Sequence, residues 1–418
     1  GEVITNERVM CRMAYLVARK LSGRKMGPTF AEVKCDEISP SCFNCERRGL
    51  RCSLAISRAT SADIEPIRPS RVPNLEGPAS SVLSPHHVWA IADSSLFPVP
   101  PPQIWHVGME LMHHYSTVTA DTFAIRPDMQ YVWRTIVPEM GHRSSFVTHG
   151  VLSVAAQHKA HLLPGLRDKY LDMAAYHQML GMEGFRAALS NVNHNNWKHT
   201  FTFSSTIVIY VCSLLGPVDE PGANPIPDIL KLFILVRGLR TTLLLHNAQL
   251  GGTELAPLSH GVWILGEQDD SLYENDPSPN YSRLPQGIFD ALRHLSTFFS
   301  THLPESSKGD YELAISHLRK AAKLIAHAGT RVEIGMVMFF PYVIPENIIA
   351  DIQVANPYAL LLLSYFALLL KVMENQFWYI RGWPTRIWAA ADEQAKNYPK
   401  VKKMLQWPKE QALELYRH

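Results

Sequence analysis

Apolar residues recur at helical spacing along most of the chain beyond residue 103. The first such stripe stands at i, i+4, i+7 and i+10 and consists of Trp105, Met109, Met112 and Tyr115. Further helices are predicted over 144–158, where serines can cap the start, and over 170–189, 197–215, 286–300 and 311–328. A short segment, Val132–Pro138, is expected to end at its proline. The pattern therefore predicts an all-α domain, an irregular helical bundle, over residues 103–418.

Two runs, 201–215 and 359–370, are conspicuously apolar. Both fall short of the roughly 20 apolar residues that a membrane-spanning helix needs. We therefore expect two buried core helices and no membrane span.

The composition of the 418-residue chain, 46% hydrophobic, permits a small module and one large domain with a substantial core. The net charge is only +2, yet residues 1–58 carry eleven Lys or Arg and six Asp or Glu. This basic end is where nucleic acid would bind.

Four cysteines within this basic end follow the spacing C-x6-C-x2-C-x6-C; they are Cys35, Cys42, Cys45 and Cys52. Thiolates at such spacing are typical ligands of Zn²⁺, and four of them complete one tetrahedral site. Disulfides are the less favoured alternative, because Cys11 and Cys212 complete no framework.

The sequence VKCDE, followed by P-x-C-x2-C and a last cysteine, resembles the second half of the zinc cluster of fungal Zn2Cys6 transcription factors. In that family six thiolates hold two zinc ions. The four cysteines here match the family's third to sixth, and the places of the first two hold Lys25 and Pro28. The resemblance thus implies a partial module over 33–55 that binds at most one zinc ion.

DNA binding is implied by the same resemblance. Basic residues between the cysteines are expected to face phosphates; they are Lys34, Arg47, Arg48 and Arg51. The family's adjacent basic residues before the third cysteine are replaced here by Ala31 and Glu32, so sequence-specific reading is in doubt. Residues 1–32 stay unassigned. Either a wrongly joined coding segment stands there, or the chain is a regulator that has lost specific DNA binding.

A stretch rich in Pro and Ser, residues 56–102, is predicted to be a linker. No heptad pattern of useful length follows Cys52, so a coiled-coil dimer is not supported. Beyond the linker, MELMHHYSTVTA, WRTIVP, FVTHGVLSVAAQH and later NPYAL resemble, in order, the regulatory domain of sterol-uptake-regulator-like Zn2Cys6 factors.

This resemblance implies a nuclear regulator of RNA polymerase II transcription whose helical domain dimerises or senses a sterol or other lipid. A soft, aromatic surface in the C-terminal third is the candidate ligand pocket, with ordinary core as the alternative: Met336, Met338, Phe339, Phe340, Tyr365, Phe377, Trp378 and Trp383. Two alternatives stay open, an orphan interaction domain without specific DNA binding and a lipid carrier with a vestigial finger. No motif of an enzyme is present, and His158 with His161 lacks a third metal ligand.

Overall fold

The computed structural model describes residues 102–214, 225–244, 247–259 and 276–415. The predicted zinc module and almost the whole predicted linker lie outside these ranges. Within them the secondary structure is helical and contains no β-strand, so the predicted all-α class of this domain is confirmed.

The α-helices, numbered in chain order, are joined by short π- and 3₁₀-helical segments and by loops. They are α1 (Pro102–His114), α2 (Pro127–Tyr131), α3 (Val137–Arg143), α4 (Ser145–Leu162), α5 (Arg167–Leu189), α6 (Trp197–Leu214), α7 (Ile226–Leu244), α8 (Asn247–Leu250), α9 (Ile288–His302), α10 (Glu305–Ala328), α11 (Ile334–Val343), α12 (Glu346–Gln353), α13 (Pro357–Met373), α14 (Trp383–Gln394) and α15 (Pro399–Glu414).

Two helices are the centres of packing. In the first half α4 packs against α3, α5 and α6, and in the second half α13 packs against α14 and α15. Helix α7 contacts both α6 and α11 and so links the two halves. Their buried apolar side chains form one continuous core.

The side chain of Phe203 on α6 fixes how closely α4, α5 and α6 approach one another. A Cβ atom at Gly150 would lie 2.7 Å from the Phe203 ring, and one at Gly181 would lie 2.6 Å from it. Such distances are below van der Waals contact, so only glycine fits at both positions. The phenyl ring therefore lies against bare backbone on two neighbouring helices.

Helix α13 is the predicted apolar helix of the C-terminal third. The Asn356 side chain caps it by accepting a hydrogen bond from the Tyr358 N–H at 2.9 Å, and Pro357 occupies the first turn, where its missing N–H costs nothing. Every side chain from Ala359 to Met373 is buried. The interpretation of this run as a core helix is confirmed.

None of the described helices is by itself long and apolar enough to cross a membrane. Helices α11 and α12 together reach the required length and composition, but they are bent by 92° relative to each other.

Two local predictions were wrong, and one predicted helical stripe is only partly buried. The segment Val132–Pro138 does not end at its proline: a π-helical turn, Val132–Ile136, leads directly into α3, which carries Pro138 in its first turn. A π-turn shifts the hydrogen-bond pattern, so the proline's lack of an N–H and its ring are accommodated without a break.

The stripe on α1 is not a buried face. Trp105 is 59% exposed and Met109 is 70% exposed, whereas Leu111 and Tyr115 are buried. Helix α1 packs mainly on α4, so it buries a narrower face than its apolar residues would permit.

At the start of α4, Ser144 occupies the N-cap position but its side chain makes no capping bond. The Thr148 hydroxyl instead donates to the Gly141 carbonyl at 2.7 Å. The side-chain hydrogen bond that connects α3 and α4 therefore comes from Thr148, one helical turn after the serine that was expected to cap α4.

Candidate functional site

An apolar cavity of about 110 Å³ lies between α6 and α11. Its walls come from segments that are far apart in the sequence: Phe123, Met129, Trp133, Phe201, Ser205, Val208, Ile209, Cys212, Val236, Leu258, Ile334, Gly335, Met338, Tyr342 and Tyr379. Most of these side chains are buried, and the half-buried Val208, Leu258 and Ile334 mark its outer side.

Helix α6 contributes five of the walls because its cavity-facing residues recur at i, i+4, i+7, i+8 and i+11 from Phe201. The Ser205 hydroxyl donates to the Phe201 carbonyl of the same helix at 3.0 Å, so its proton is not available to the cavity.

Tyr379 supplies a polar group without a partner. It sits in a 3₁₀ turn, Trp378–Ile380, with its ring edge-on to Phe123 at 6.1 Å between centroids. The side chain is buried and its hydroxyl makes no hydrogen bond. Burial first, and then the nearness of Cys212 and Glu333, raises the pKa of Tyr379 well above its usual value, so the hydroxyl stays protonated.

Glu333 is the residue before α11 and is completely buried. Its Oε1 atom accepts hydrogen bonds from the Ile125 N–H at 2.8 Å and the Arg126 N–H at 2.6 Å. Its Oε2 atom has no hydrogen-bond partner. Burial raises the pKa of Glu333 to about 7, against the two backbone donors and the charge of Arg126, which lower it.

The thiol of Cys212 lines the cavity and takes part in no disulfide. Burial raises the pKa of the Cys212 thiol far above its ordinary value, so it is protonated and unreactive at neutral pH. The Cys212 backbone carbonyl accepts a hydrogen bond from the Trp383 indole at 2.9 Å.

The eight residues predicted to line a pocket do not come together in this cavity. Met338 lines it, and the other seven lie elsewhere in the described domain. Phe340 packs on Phe366 at 5.2 Å between ring centroids, and Tyr365 stacks on Trp407 at 5.9 Å. The other five side chains pack in the core, contact another aromatic ring or donate a hydrogen bond to the backbone; they are Met336, Phe339, Phe377, Trp378 and Trp383.

The walls that the sequence analysis missed come from α6 and from residues 123–133. The spacing of apolar residues on α6 predicts one apolar face. It does not show that the side chains packed opposite this face leave a cavity. The unsatisfied Tyr379 hydroxyl and Glu333 Oε2 atom could not be predicted from the sequence, because burial of a polar atom depends on what packs around it.

His158 and His161 lie in one stack with Trp378. Their ring centroids are 4.8 Å and 5.4 Å from the indole, and the His158 Nδ1 atom contacts the Thr119 hydroxyl at 3.0 Å. In the described ranges no three His, Cys, Asp or Glu side chains are grouped so that they could hold a metal ion. The stack is thus an aromatic contact.

The predicted zinc ligands Cys35, Cys42, Cys45 and Cys52, and the predicted phosphate contacts Lys34, Arg47, Arg48 and Arg51, lie outside the described residues. The donor set is chemically suited to zinc, since four thiolates fill one tetrahedral coordination sphere. Six would be required for the two-zinc cluster that the resemblance implies.

Two families match separate parts of the chain. Residues 30–61 match the fungal Zn(2)-Cys(6) binuclear cluster domain, and this segment contains all four of those cysteines. Residues 110–220 match the fungal specific transcription factor domain, which here corresponds to α1 to α6.

Two relatives are similar over different lengths. A Zn(2)-C6 fungal-type transcription factor of Gibberella zeae is 24% identical over 400 residues, which span 83% of this chain and 76% of the relative. The Zn(2)-C6 fungal-type transcription factor afumD of Aspergillus fumigatus is 25% identical over 160 residues, which span 36% of this chain and 38% of that relative.

A zinc-cluster segment followed by an all-helical regulatory domain defines a class of fungal transcription regulators, and the matches to both parts agree on it. In both matched segments and over most of its length, the chain is similar to fungal Zn(2)-Cys(6)-type transcription factors. The zinc-cluster match indicates zinc-dependent DNA binding. The finer likeness to sterol-uptake regulators stays a prediction.

Proposed function

We propose that this protein is a nuclear regulator of RNA polymerase II transcription that contacts DNA through a one-zinc module and is controlled through its helical domain. The match over residues 30–61 supports this most directly, because it joins four thiolate donors to basic residues ahead of a transcription-factor domain. Both matched families are of transcription factors, and we propose no catalytic activity.

The zinc ion would be held by Cys35, Cys42, Cys45 and Cys52. A zinc ion with four thiolates carries a net charge of about −2, which the lysine and arginines between the cysteines offset. Bound zinc would fix the loop that carries these cations, so that they meet phosphates together. The resulting affinity is electrostatic and falls steeply with salt.

Zinc content and duplex binding of the full chain test the proposal. We expect one zinc per chain, its loss in Cys42→Ser, and its retention in the control Cys11→Ser, which changes a cysteine outside the set. Arg48→Ala should reduce the slope of log affinity against log salt by about 0.9, the value for one phosphate contact. Zinc that survives Cys42→Ser would contradict the proposal.

An interaction domain without specific DNA binding is the second candidate. Lys25 and Pro28, where the family has cysteines, favour it. Titration of labelled duplexes separates the two: a sequence-specific factor discriminates between duplexes, whereas this candidate binds all of them equally weakly at low salt.

The expectation of a sterol effector stays a prediction, as does a homodimer. The cavity of about 110 Å³ is smaller than the roughly 300–1,000 Å³ of sites for drug-sized ligands. A four-ring sterol would require the helices around it to separate. Lipid extraction from the purified protein tests both this expectation and the lipid-carrier alternative; absence of any co-purifying lipid would argue against the carrier.

A further inference from the structure

The cavity between α6 and α11 combines apolar walls with a hydroxyl that no described residue satisfies. Buried polar side-chain atoms nearly always have a partner, and leaving one without costs free energy. The Tyr379 hydroxyl has none, although its side chain is buried and lines the cavity. A phenylalanine at this position would avoid the cost, so the hydroxyl is the feature of the cavity that calls for a ligand.

A second unsatisfied atom belongs to the same region. The Oε2 atom of Glu333 has no partner, and the two residues that follow Glu333, Ile334 and Gly335, form part of the cavity wall. Glu333 also lies close enough to Tyr379 for its charge to act on the phenol. Tyr379 therefore brings an unsatisfied hydroxyl to walls that are mainly aliphatic and aromatic, and the Glu333 carboxyl lies directly before the lining residue Ile334.

The size of the cavity limits what it can hold. Benzene occupies an engineered apolar cavity of about 150 Å³ in another protein, so a volume of about 110 Å³ suits one ring or a short branched chain. Phe123 and Trp133 are aromatic walls against which such a ring can pack, and the half-buried Val208 and Ile334 lie toward the outer side.

We propose that this cavity is a binding site for a small, mainly apolar alcohol or phenol, whose hydroxyl pairs with the Tyr379 hydroxyl while its apolar body lies between α6 and α11. The site is separate from the zinc and DNA chemistry of the proposed function. Its ligand class follows from one polar anchor in an apolar space of single-ring size.

Calorimetric titration of the full chain with phenol and with toluene tests the proposal, because the two probes have the same shape and differ in the hydroxyl. We expect phenol to bind roughly three- to tenfold more tightly than toluene, the effect of one hydrogen bond. Tyr379→Phe should remove this preference and leave the affinity for toluene unchanged. Val208→Phe, which fills the cavity, should abolish binding of both.

A matched control is Leu313→Phe, which enlarges a half-exposed side chain on α10 away from the cavity and should bind both probes as the wild type does. If Val208→Phe fails to fold by circular dichroism, Ser205→Leu fills the same space. Absence of binding by either probe, or unchanged binding in the filled variant, overturns the site. An unchanged preference for phenol in Tyr379→Phe overturns the anchor.

Duplex binding measured on the same variants keeps this test apart from the proposed function. Loss of phenol binding with unchanged duplex binding supports a separate site. If the wild type fails to bind DNA, the phenol result remains valid by itself, because the residues proposed to hold the probe all lie in the helical domain.

Discussion

Among the described residues two glutamates are buried, and their carboxylates have opposite surroundings. Glu374, at the end of α13, forms an ion pair with Lys371, both side chains being under 7% exposed, and its Oε1 atom accepts from the Gly382 N–H at 2.7 Å. Glu333 accepts two backbone hydrogen bonds on one oxygen and, among the described residues, has no ion pair.

The neighbourhood of Glu374 is built around its charge. Gly382 adopts φ 86°, a conformation that strains other residues, and thereby presents its N–H to the carboxylate. Glu333 forms no ion pair with a described residue, although the nearby charge of Arg126 favours its ionised form, and it directly precedes the cavity-lining residue Ile334. The contrast shows that burial of a charge alone does not indicate function; the useful signal is a buried polar atom that the fold leaves unsatisfied.

The largest expected effect tests the structural role of Glu374. Glu374→Ala should destabilise the protein by about 3–5 kcal/mol, because Lys371 is left buried without its ion-pair partner. Urea unfolding at pH 7 measures this change. The control is Glu393→Ala, which removes an exposed pair with Lys396 and should cost about 0–1 kcal/mol. Equal effects in the two variants would contradict the comparison.

The second prediction concerns Glu333 and pH. Because its pKa is raised to about 7 in the folded protein from an ordinary 4.5, the folded state binds more protons between these values than the unfolded chain does. Its contribution to stability therefore falls as pH rises through this window. Glu333→Gln keeps the Oε1 acceptor without the charge and should be more stable than the wild type by roughly 3 kcal/mol at pH 8, with no difference near pH 4.

Unfolding free energies of the two proteins at several pH values provide the measurement. Burial lowers the pKa of His158 to about 3 and that of His177 to about 4, so both proteins lose stability as pH falls below 6.5. Because both proteins contain these histidines, the loss cancels when the unfolding free energy of the wild type is subtracted from that of Glu333→Gln. If the unfolding free energies of the two proteins change in parallel with pH, Glu333 does not titrate in this range. The charge of Arg126, which lowers the pKa of Glu333, would then outweigh burial and the charge of Asp128, which raise it.

The smallest expected effect compares two buried tyrosines. The Tyr115 hydroxyl donates to the Trp133 carbonyl at 2.8 Å, whereas the Tyr379 hydroxyl has no partner. Tyr115→Phe should cost about 1 kcal/mol, and Tyr379→Phe should be neutral or slightly stabilising. Thermal unfolding without added ligand measures both. A cost of the same size in Tyr379→Phe would mean that its hydroxyl is satisfied.

Helical periodicity predicted the fold class and the positions of α4, α5, α6, α9, α10 and α13, because burying one face of each helix is a property of local sequence; it did not identify α7 or α15. The prediction was wrong at Pro138, where a π-turn before the proline preserves the helix; Trp105 and Met109 lie on the predicted helix but are exposed. An apolar residue can remain on the surface when no element packs against it.

The candidate site was harder to predict for a physical reason. A cavity is the space left when side chains from distant segments do not fill the volume between them, and no local pattern records that. Met338, predicted to line a pocket because it is soft and apolar, lines the cavity. Phe340 and Tyr365, predicted for similar reasons, instead pack against other aromatic rings. The predicted zinc ligands present the reverse case, since the prediction rests directly on their spacing in the sequence.

The position of Phe203 against Gly150 and Gly181 has a consequence for how this protein can change. Helix α6 rests on these glycines with one side and forms a cavity wall with other residues. A single methyl group added to Gly150 or Gly181 would push α6 away from its support, and so alter the volume available to a guest without changing any residue that touches it. Related chains can thus differ in what they accommodate while the lining itself stays identical.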